Sequence, residues 1–304
     1  MQSKVNELIK QTSIIFLDKE EAIKLAVVCL LADGHLLIED VPGVGKTTLA
    51  KTLAQLMGLK TNRIQFTIDL LPGDILGGNL FNVKDQKFEF HPGPLFAQLI
   101  LADELNRASP RTQSALLQAM EEGQVSVDAS TFNLPQPFFV IATQNPHQNL
   151  GTFPLPESQL DRFLMSIELS FASKKTEVQI FQNPNPQEKI KTLAALFSAD
   201  EITKLHREVV SIHVSANVAE YVGLLLENSR KSDFPGAALS TRGGMALIAA
   251  GKAWAYLDQR NYILPEDIQS VLQPVIGHRL GGTHGLRQGR EWAQSLQKQT
   301  PVPR

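Results

Sequence analysis

The stretch LIEDVPGVGKTTLA holds a glycine-rich loop that ends in Lys46 and Thr47. Gly43 and Gly45 let the backbone turn tightly, so that its N–H groups can point at phosphate oxygens. Lys46 would reach the β- and γ-phosphates, and Thr47 would supply an oxygen to Mg²⁺. The strict phosphate-loop pattern has a glycine where this chain has Asp40. The predicted nucleotide-binding residues are Asp40, Pro42, Gly43, Val44, Gly45, Lys46, Thr47 and Thr48.

The run LILADE ends in two acids, Asp103 and Glu104. A buried parallel strand that ends here places a carboxylate beside the phosphate loop. We expect Asp103 to hold Mg²⁺, with Thr47, and Glu104 to polarise the attacking water as a general base. The alternative is an ordinary strand end with two exposed acids.

Three further polar residues could act on the same phosphates. The run FFVIATQNP ends on Asn145, whose neutral amide can hydrogen-bond the attacking water or the γ-phosphate. Arg162, in LPESQLDRF, is placed as an arginine finger that points into a neighbouring subunit's site. Arg242, in ALSTRGG, could return to the γ-phosphate and couple a lid to the nucleotide state. Singly, each has an ordinary alternative: a strand-end turn for Asn145 and a solvated charge for each arginine.

Four short apolar runs predict the strands of a parallel sheet. Such a sheet would bring the candidate phosphate-binding and catalytic residues close together. The runs are residues 36–38, 63–68, 99–103 and 138–143. A β-hairpin insert is predicted at about 70–96, and a second hairpin in QVSVDASTFNLP. The predicted fold class is α/β, a P-loop αβα core with a smaller all-helical lid domain.

The chain changes character after about residue 170, where helical patterns replace strands. QNPNPQ is a proline-punctuated break, and SADE, residues 198–201, is a capping-box helix start. Three longer helices are expected beyond it, and the last dozen residues look poorly packed. The predicted domains are 1–170 (nucleotide-binding), 171–190 (linker) and 191–304 (lid).

The composition is that of a globular protein of 304 residues with a net charge of −2. This balance gives no reason to expect nucleic-acid binding or attraction to anionic membranes. Cys29, in an apolar run, is expected to be a buried thiol. No signal-peptide or membrane-spanning pattern is present, so we expect a cytoplasmic protein.

Several of these stretches together resemble the MoxR family of AAA+ ATPases, in the helix-2-insert group. They are HLLIEDVPGVGKTTLA, RIQFTIDLLPGDILG, LADELNRASPRTQSALLQAMEEGQVSVD, FVIATQNP, LPESQLDRF and YILPEDI, within residues 35 to 268. Aspartate often stands at the position of Asp40 in this family. The resemblance implies Walker A (Lys46, Thr47), Walker B (Asp103, Glu104), sensor 1 (Asn145), the arginine finger (Arg162) and sensor 2 (Arg242).

The resemblance also implies an activity and an assembly. It implies a hexameric homo-oligomeric ring that binds ATP and Mg²⁺ between subunits and remodels protein clients as a chaperone, including metal-cofactor enzymes. Such partners often carry a von Willebrand factor A domain, whose D-x-S-x-S pattern is absent here, so this partner would be a separate chain. Two departures stand out: Asp18 replaces a usual glycine near the adenine, and S-T-R replaces S-P-R before Arg242.

Three other functions are alternatives to this one. A nucleic-acid motor is disfavoured by the net charge and by the absence of an extension after the lid. A magnesium-chelatase-like motor subunit shares the hairpin and the sensor order and differs in its client. A non-hydrolysing assembly module would not need Glu104 and Arg162.

Overall fold

The computed structural model describes residues 1–39, 43–128, 130–145, 151–182, 185–231 and 238–303. Asp40 and Pro42 of the predicted loop therefore lie outside the described residues. The strands are β1 Leu36–Glu39, β2 Thr61–Gln65, β3 Gly77–Asn82, β4 Lys87–Pro92, β5 Leu99–Asp103, β6 Gln124–Val127, β7 Ser130–Asn133, β8 Phe139–Gln144 and β9 Met165–Ile167.

The α-helices lie before, between and after these strands. They are α1 Gln2–Ile15, α2 Glu20–Leu31, α3 Lys46–Leu56, α4 Pro72–Leu76, α5 Pro110–Glu122, α6 Glu157–Leu160, α7 Lys174–Gln182, α8 Pro186–Thr192, α9 Ala199–Val210, α10 Ala216–Lys231, α11 Thr241–Leu257, α12 Pro265–Gly281 and α13 Leu286–Gln299. None of the described helices is long and apolar enough to cross a membrane.

Five parallel strands form the central sheet, in the order β2-β5-β8-β1-β9. Strands β1 and β5 are buried on both faces, as expected for a sheet covered by helices. Because β5, β8 and β1 are neighbours, their carboxyl ends bring Asp103, Asn145 and the glycine loop to one edge of the sheet. The predicted α/β fold with a helical lid is confirmed.

The strand predicted at residues 63–68 is found two to three residues earlier, as β2 at Thr61–Gln65. The edge strand β9 was not predicted, since its three residues are too short to show a period. Both predicted hairpins are present, as β3–β4 and β6–β7. They lie together, because the ring of Phe90 stacks on that of Phe132 with 3.8 Å between centroids.

The carboxyl-terminal helices form as the capping and periodicity indicated. The N–H of Glu201 donates to Ser198 Oγ and the N–H of Ser198 donates to Glu201 Oε2, which is the predicted capping box of α9. The expectation of a poorly packed end was wrong, because Ala293 and Leu296 of α13 are fully buried. The prediction failed because α13 is mostly polar, and its few apolar residues lie on one narrow face that overall composition does not show.

A close helix contact explains why α13 packs so tightly on α12. A Cβ at Gly289 would lie 1.9 Å from the carbonyl oxygen of Gly277, so only glycine allows this approach.

One hydrophobic cluster joins the amino-terminal helices and the sheet to the carboxyl-terminal helices. It runs from α2 through β1 and β9 to α11 and α12, and Cys29 is buried within it, as predicted. Polar contacts at its edge include Lys4 Nζ to Glu201 Oε1 at 2.6 Å and the His206 ring to the carbonyl oxygen of Leu30 at 2.9 Å. The positions of α11 and α12 relative to the sheet are thus set by buried contacts. The domain limits at residues 170 and 190 stay a prediction.

Candidate nucleotide site

The glycine loop lies between the end of β1 and the first turn of α3. Gly43 and Gly45 have φ angles of +89° and +93°, in the left-handed region that favours glycine. The space around Gly43 is open, since nothing lies within 4 Å of the position its Cβ would take. Helix α3 begins at Lys46, so its positive dipole end faces this space. An open concavity of this kind at a helix amino terminus suits an anion.

A cleft of about 310 Å³ lies in front of the loop. Its lining brings together Lys46, Thr47, Asp103, Glu104 and Asn145, which the sequence predicted from three separate strand ends. The full lining is Gly43, Gly45, Lys46, Thr47, Arg63, Gln65, Asp103, Glu104, Thr143 and Asn145. Val44 and Thr48 line the neighbouring cavity instead, and Arg162 and Arg242 line neither.

Asp103 is nearly buried, with 7% of its surface exposed. Arg63 Nε donates to Asp103 Oδ2 at 2.6 Å, and the hydroxyl of Thr143 donates to Oδ1 at 3.2 Å. The carboxylate of Asp103 and the hydroxyl of Thr47 are hard oxygen donors, which Mg²⁺ prefers. The described residues contain no group of three His, Cys, Asp or Glu side chains that could hold a metal alone. This donor set therefore fits an ion that takes its remaining ligands from phosphates and water.

Glu104 is held by its neighbours on three sides. Its φ and ψ of 56° and 47° are left-handed, an arrangement that costs a non-glycine residue about 1–3 kcal/mol. Its N–H donates to Thr143 Oγ1 at 2.9 Å. Its carboxylate accepts from Gln65 Nε2 at 3.1 Å and from Arg107 Nη1 at 2.8 Å. The side chain that is predicted to polarise water is thus oriented by two donors.

Sequence reasoning missed Arg63, Gln65 and Thr143 as members of this site. Arg63 and Gln65 alternate with the buried Ile64 along β2, so both side chains reach the same face as the acids of β5. That alternation was visible in RIQF. The partner strand was not visible, because paired positions of β2 and β5, such as Gln65 and Asp103, lie 38 residues apart in the sequence.

A larger cavity of about 630 Å³ shares Gly43 and Gly45 with the cleft. The side chains around it are mostly apolar and come from the end of α1, the loop and α7. They include Ile14, Ile15, Phe16, Val44, Phe171, Ile180 and Phe181. The ring of Phe16 lies so close to the loop that a Cβ at Gly45 would be 2.7 Å from it. An apolar cavity that opens onto a phosphate cleft can take the planar base of a nucleotide.

Asp18, which stands where the family usually has glycine, adopts φ +62°. Aspartate tolerates this left-handed conformation better than most side chains do, so the backbone turn can persist without glycine. Its Oδ2 accepts a hydrogen bond from the N–H of Ser173 at 2.8 Å. That bond is the main reason why the pKa of Asp18 is lowered. The substitution therefore ties the turn after α1 to the segment before α7.

Arg162 and Arg242 lie together on one carboxylate, that of Glu121 on the last turn of α5. Arg162 Nη1 pairs with Glu121 Oε2, and Arg242 Nη2 pairs with Oε1 at 2.6 Å. Arg162 also donates to the carbonyl oxygen of Leu117 at 2.9 Å. The side chains of Glu121, Arg162 and Arg242, named here the arginine cluster, are 40%, 28% and 51% exposed. Arg162 was predicted to act in a neighbouring subunit's site and Arg242 to return to the γ-phosphate. The structure places them side by side on the surface, and neither lines the cleft of its own chain.

Arg279 on α12 anchors the segment that carries Arg162. Its Nε donates to Asp161 Oδ1 at 2.6 Å, and its Nη2 donates to the carbonyl oxygens of Asp161 and Phe163 at 3.1 and 2.8 Å. Burial lowers the pKa of Arg279, and the carboxylate of Asp161 opposes that shift. Ser240, the residue that caps α11, donates to the other oxygen of Asp161 at 3.2 Å. The segment that carries Arg162, named here the finger segment (residues 161–163), is therefore held by α11 and α12.

Family models match two parts of the chain. Residues 35–165 match the ATPase family associated with various cellular activities (AAA), and residues 236–299 match the AAA lid domain. The first range covers the glycine loop, the acids of β5, Asn145 and Arg162, and the second covers Arg242.

Relatives match along most of the chain. The chain is 41% identical to the uncharacterized protein YeaC of Bacillus subtilis, over 91% of this chain and 86% of that protein. It is 36% identical to Chaperone MoxR1 of Mycobacterium tuberculosis, over 88% of this chain and 72% of that protein. A crystal structure of a protein described as an ATPase, from Cytophaga hutchinsonii, superposes with a TM-score of 0.89. It is 32% identical and the match covers 100% of this chain and 96% of that one.

Proposed function

Because the chain belongs to the MoxR family of AAA+ ATPases, we propose that it is a Mg²⁺-dependent ATPase that remodels protein clients as a chaperone. It works in the cytoplasm as a homo-oligomeric ring, which we take to be hexameric. The observation that carries the proposal is the separation of two half-sites on one chain. The cleft holds the groups for binding nucleotide and activating water, and the arginine cluster holds the groups that stabilise transition-state charge.

The cleft supplies the steps of hydrolysis that one chain can perform. The loop amides and Lys46 bind the β- and γ-phosphates, and Thr47 and Asp103 hold Mg²⁺. When bound, this ion neutralises charge on the phosphate oxygens. Glu104 takes a proton from the attacking water once its carboxylate turns from Gln65 and Arg107. Asn145 orients that water or the γ-phosphate with its amide.

The arginine cluster acts on the nucleotide of a neighbouring subunit. Arg162 and Arg242 do not line the cleft of their own chain, yet both guanidinium groups are partly exposed and lie side by side. Transition-state charge on a γ-phosphate is stabilised strongly by such groups, by about 10³–10⁵ in rate for an arginine finger. The active site is therefore complete only between two copies, which makes hydrolysis report on assembly.

The client is a protein, bound by the hairpins. The first hairpin exposes Leu80 and Phe81 of β3, Val83 of the turn and Phe88 of β4, and the rings of Phe81 and Phe88 are in contact. Exposed apolar side chains that are grouped in this way are typical of protein-binding surfaces. The name of the relative Chaperone MoxR1 agrees with a chaperone role. We propose that clients include complexes that receive a metal or cofactor, and that a partner with a von Willebrand factor A domain is a separate chain.

The deciding experiment measures ATP hydrolysis per subunit against protein concentration at saturating MgATP. We expect specific activity to rise with concentration and Arg162→Ala to abolish it, with no change in the affinity of the dilute chain for ATP. Arg207→Ala, an exposed arginine of α9, is the matched control and should retain activity. Activity that is flat with concentration, together with an active Arg162→Ala variant, would mean that one chain holds a complete site.

A further inference from the structure

We propose that Glu121 is a positioning residue that holds Arg242 of the lid beside Arg162, so that both guanidinium groups reach one phosphate of a neighbouring subunit. This inference rests on the proposed action of the arginines in a second copy. It assigns to Glu121 a task that the Walker and sensor residues do not perform: it joins the lid helix α11 to the finger segment.

The geometry of the carboxylate carries the first step. Glu121 uses one oxygen for each arginine, Oε2 for Arg162 and Oε1 for Arg242. Two guanidinium groups at this separation repel each other, and the carboxylate between them offsets that repulsion. Without it, the two guanidinium groups would repel each other unopposed, although α11 and the Arg162 segment would still be joined by the hydrogen bond from Ser240 to Asp161.

The two arginines depend on Glu121 to different degrees. Arg162 has a second hydrogen bond, to the carbonyl oxygen of Leu117, and its segment is fastened by Arg279. Among the described residues, Glu121 is the one partner of the Arg242 guanidinium. Loss of the carboxylate should therefore free Arg242 first and leave Arg162 close to its place.

The exposure of the cluster shows that Glu121 does not cover the guanidinium groups that a phosphate would contact. Each guanidinium has five N–H donors, and the ion pair with Glu121 occupies few of them. With 28% and 51% of the two arginine side chains exposed, donors remain for a further anion. The cluster carries two positive charges and one negative charge, so a neighbouring triphosphate is still attracted. Glu121 can therefore stay bound to both arginines while they act.

The first test compares Glu121→Gln with Glu122→Gln, an exposed acid on the same turn of α5. We expect Glu121→Gln to lower kcat of the assembled protein about tenfold, and Arg242→Ala to lower it by a similar factor, because a neutral amide binds guanidinium more weakly. ATP affinity of the dilute chain and the unfolding midpoint should match those of Glu122→Gln. Wild-type kcat in Glu121→Gln would overturn the proposal.

The second test mixes Glu121→Gln with Glu104→Gln chains and measures hydrolysis. The first chain keeps an intact cleft and the second keeps an intact arginine cluster. In a head-to-tail ring each chain serves one neighbour, so random mixing at equal amounts makes about a quarter of the sites complete. Activity should therefore rise above the sum of the separate variants. The reference mixture is Arg162→Ala with Glu104→Gln.

The two mixtures separate the inference from the function on which it rests. Recovery in both supports the positioning role of Glu121. Recovery only in the reference mixture means that Glu121 acts within its own chain, which overturns the inference and leaves the shared site intact. Recovery in neither means that the arginines do not serve a neighbour, and both proposals fail.

Discussion

The cleft and the arginine cluster of this chain are built in different ways. The cleft gathers residues at the carboxyl ends of adjacent parallel strands and from the glycine loop and first turn of α3 that follow β1. The arginine cluster gathers one residue from α5, one from the segment after α6 and one from α11 of the lid. The cleft therefore depends on the sheet alone, and the cluster depends on how the lid packs on the sheet. A change in lid position would alter the cluster and leave the cleft in place.

The largest expected effect is that of Glu104→Gln on the cleft. Hydrolysis should fall by about 10²–10⁴, because the amide cannot take a proton from water, while ATP binding stays within a factor of about two. Single-turnover hydrolysis and equilibrium binding of a fluorescent ATP analogue measure the two quantities. Hydrolysis near the wild-type rate would show that Glu104 is not the base.

Arg279→Met should separate the two regions through stability. Removing the guanidinium takes the charged partner from Asp161 and one hydrogen-bond donor from each of the carbonyl groups of Asp161 and Phe163, at a cost of about 3–5 kcal/mol in the free energy of unfolding. Urea unfolding measures this loss, and Arg287→Met, an exposed arginine of α13, should change it by less than about 0.5 kcal/mol.

Arg279→Met should also lower kcat under conditions in which the variant remains folded, because the segment that carries Arg162 loses its anchor. Its affinity for ATP as a dilute chain should be kept, since the cleft does not use Arg279. Weakened ATP binding in the folded variant would mean that the lid also shapes the cleft.

The smallest expected effect concerns His278, whose Nε2 lies 3.1 Å from the carbonyl oxygen of Phe163. Burial, followed by the charge of Arg279, lowers its pKa well below the usual value, so the folded chain keeps the ring neutral. Below the unfolded pKa of about 6.5 the unfolded chain binds more protons, and stability falls as the pH drops. We therefore expect the contribution of this group to the free energy of unfolding to fall between pH 7.5 and 5.5.

His278→Gln should remove that part of the pH dependence, because glutamine keeps a donor and does not titrate. Urea unfolding at both pH values measures the difference, with exposed His91→Gln as the control. An unchanged pH dependence in His278→Gln would show that the ring is not held neutral by the fold.

The local sequence predicted five residues of the cleft because each of them comes after an apolar run that is typical of a buried strand. Lys46, Thr47, Asp103, Glu104 and Asn145 each follow an apolar run, and a parallel sheet brings such ends to one edge. Arg63 and Gln65 were missed although they alternate with a buried residue, because their roles depend on which strand lies beside β2. Strand order is a long-range property that alternation does not contain.

The sequence by itself thus determined the α/β fold with its helical lid, the capping box of α9 and five of the residues that line the cleft, namely Lys46, Thr47, Asp103, Glu104 and Asn145. The tertiary structure alone decided that Arg162 and Arg242 share Glu121, that Arg279 holds the finger segment, and that α13 is packed. The physical reason is range. Turns, caps and strand ends are set by residues a few positions apart. Glu121 can pair with Arg162 and Arg242 only after buried contacts have placed the three elements that carry them.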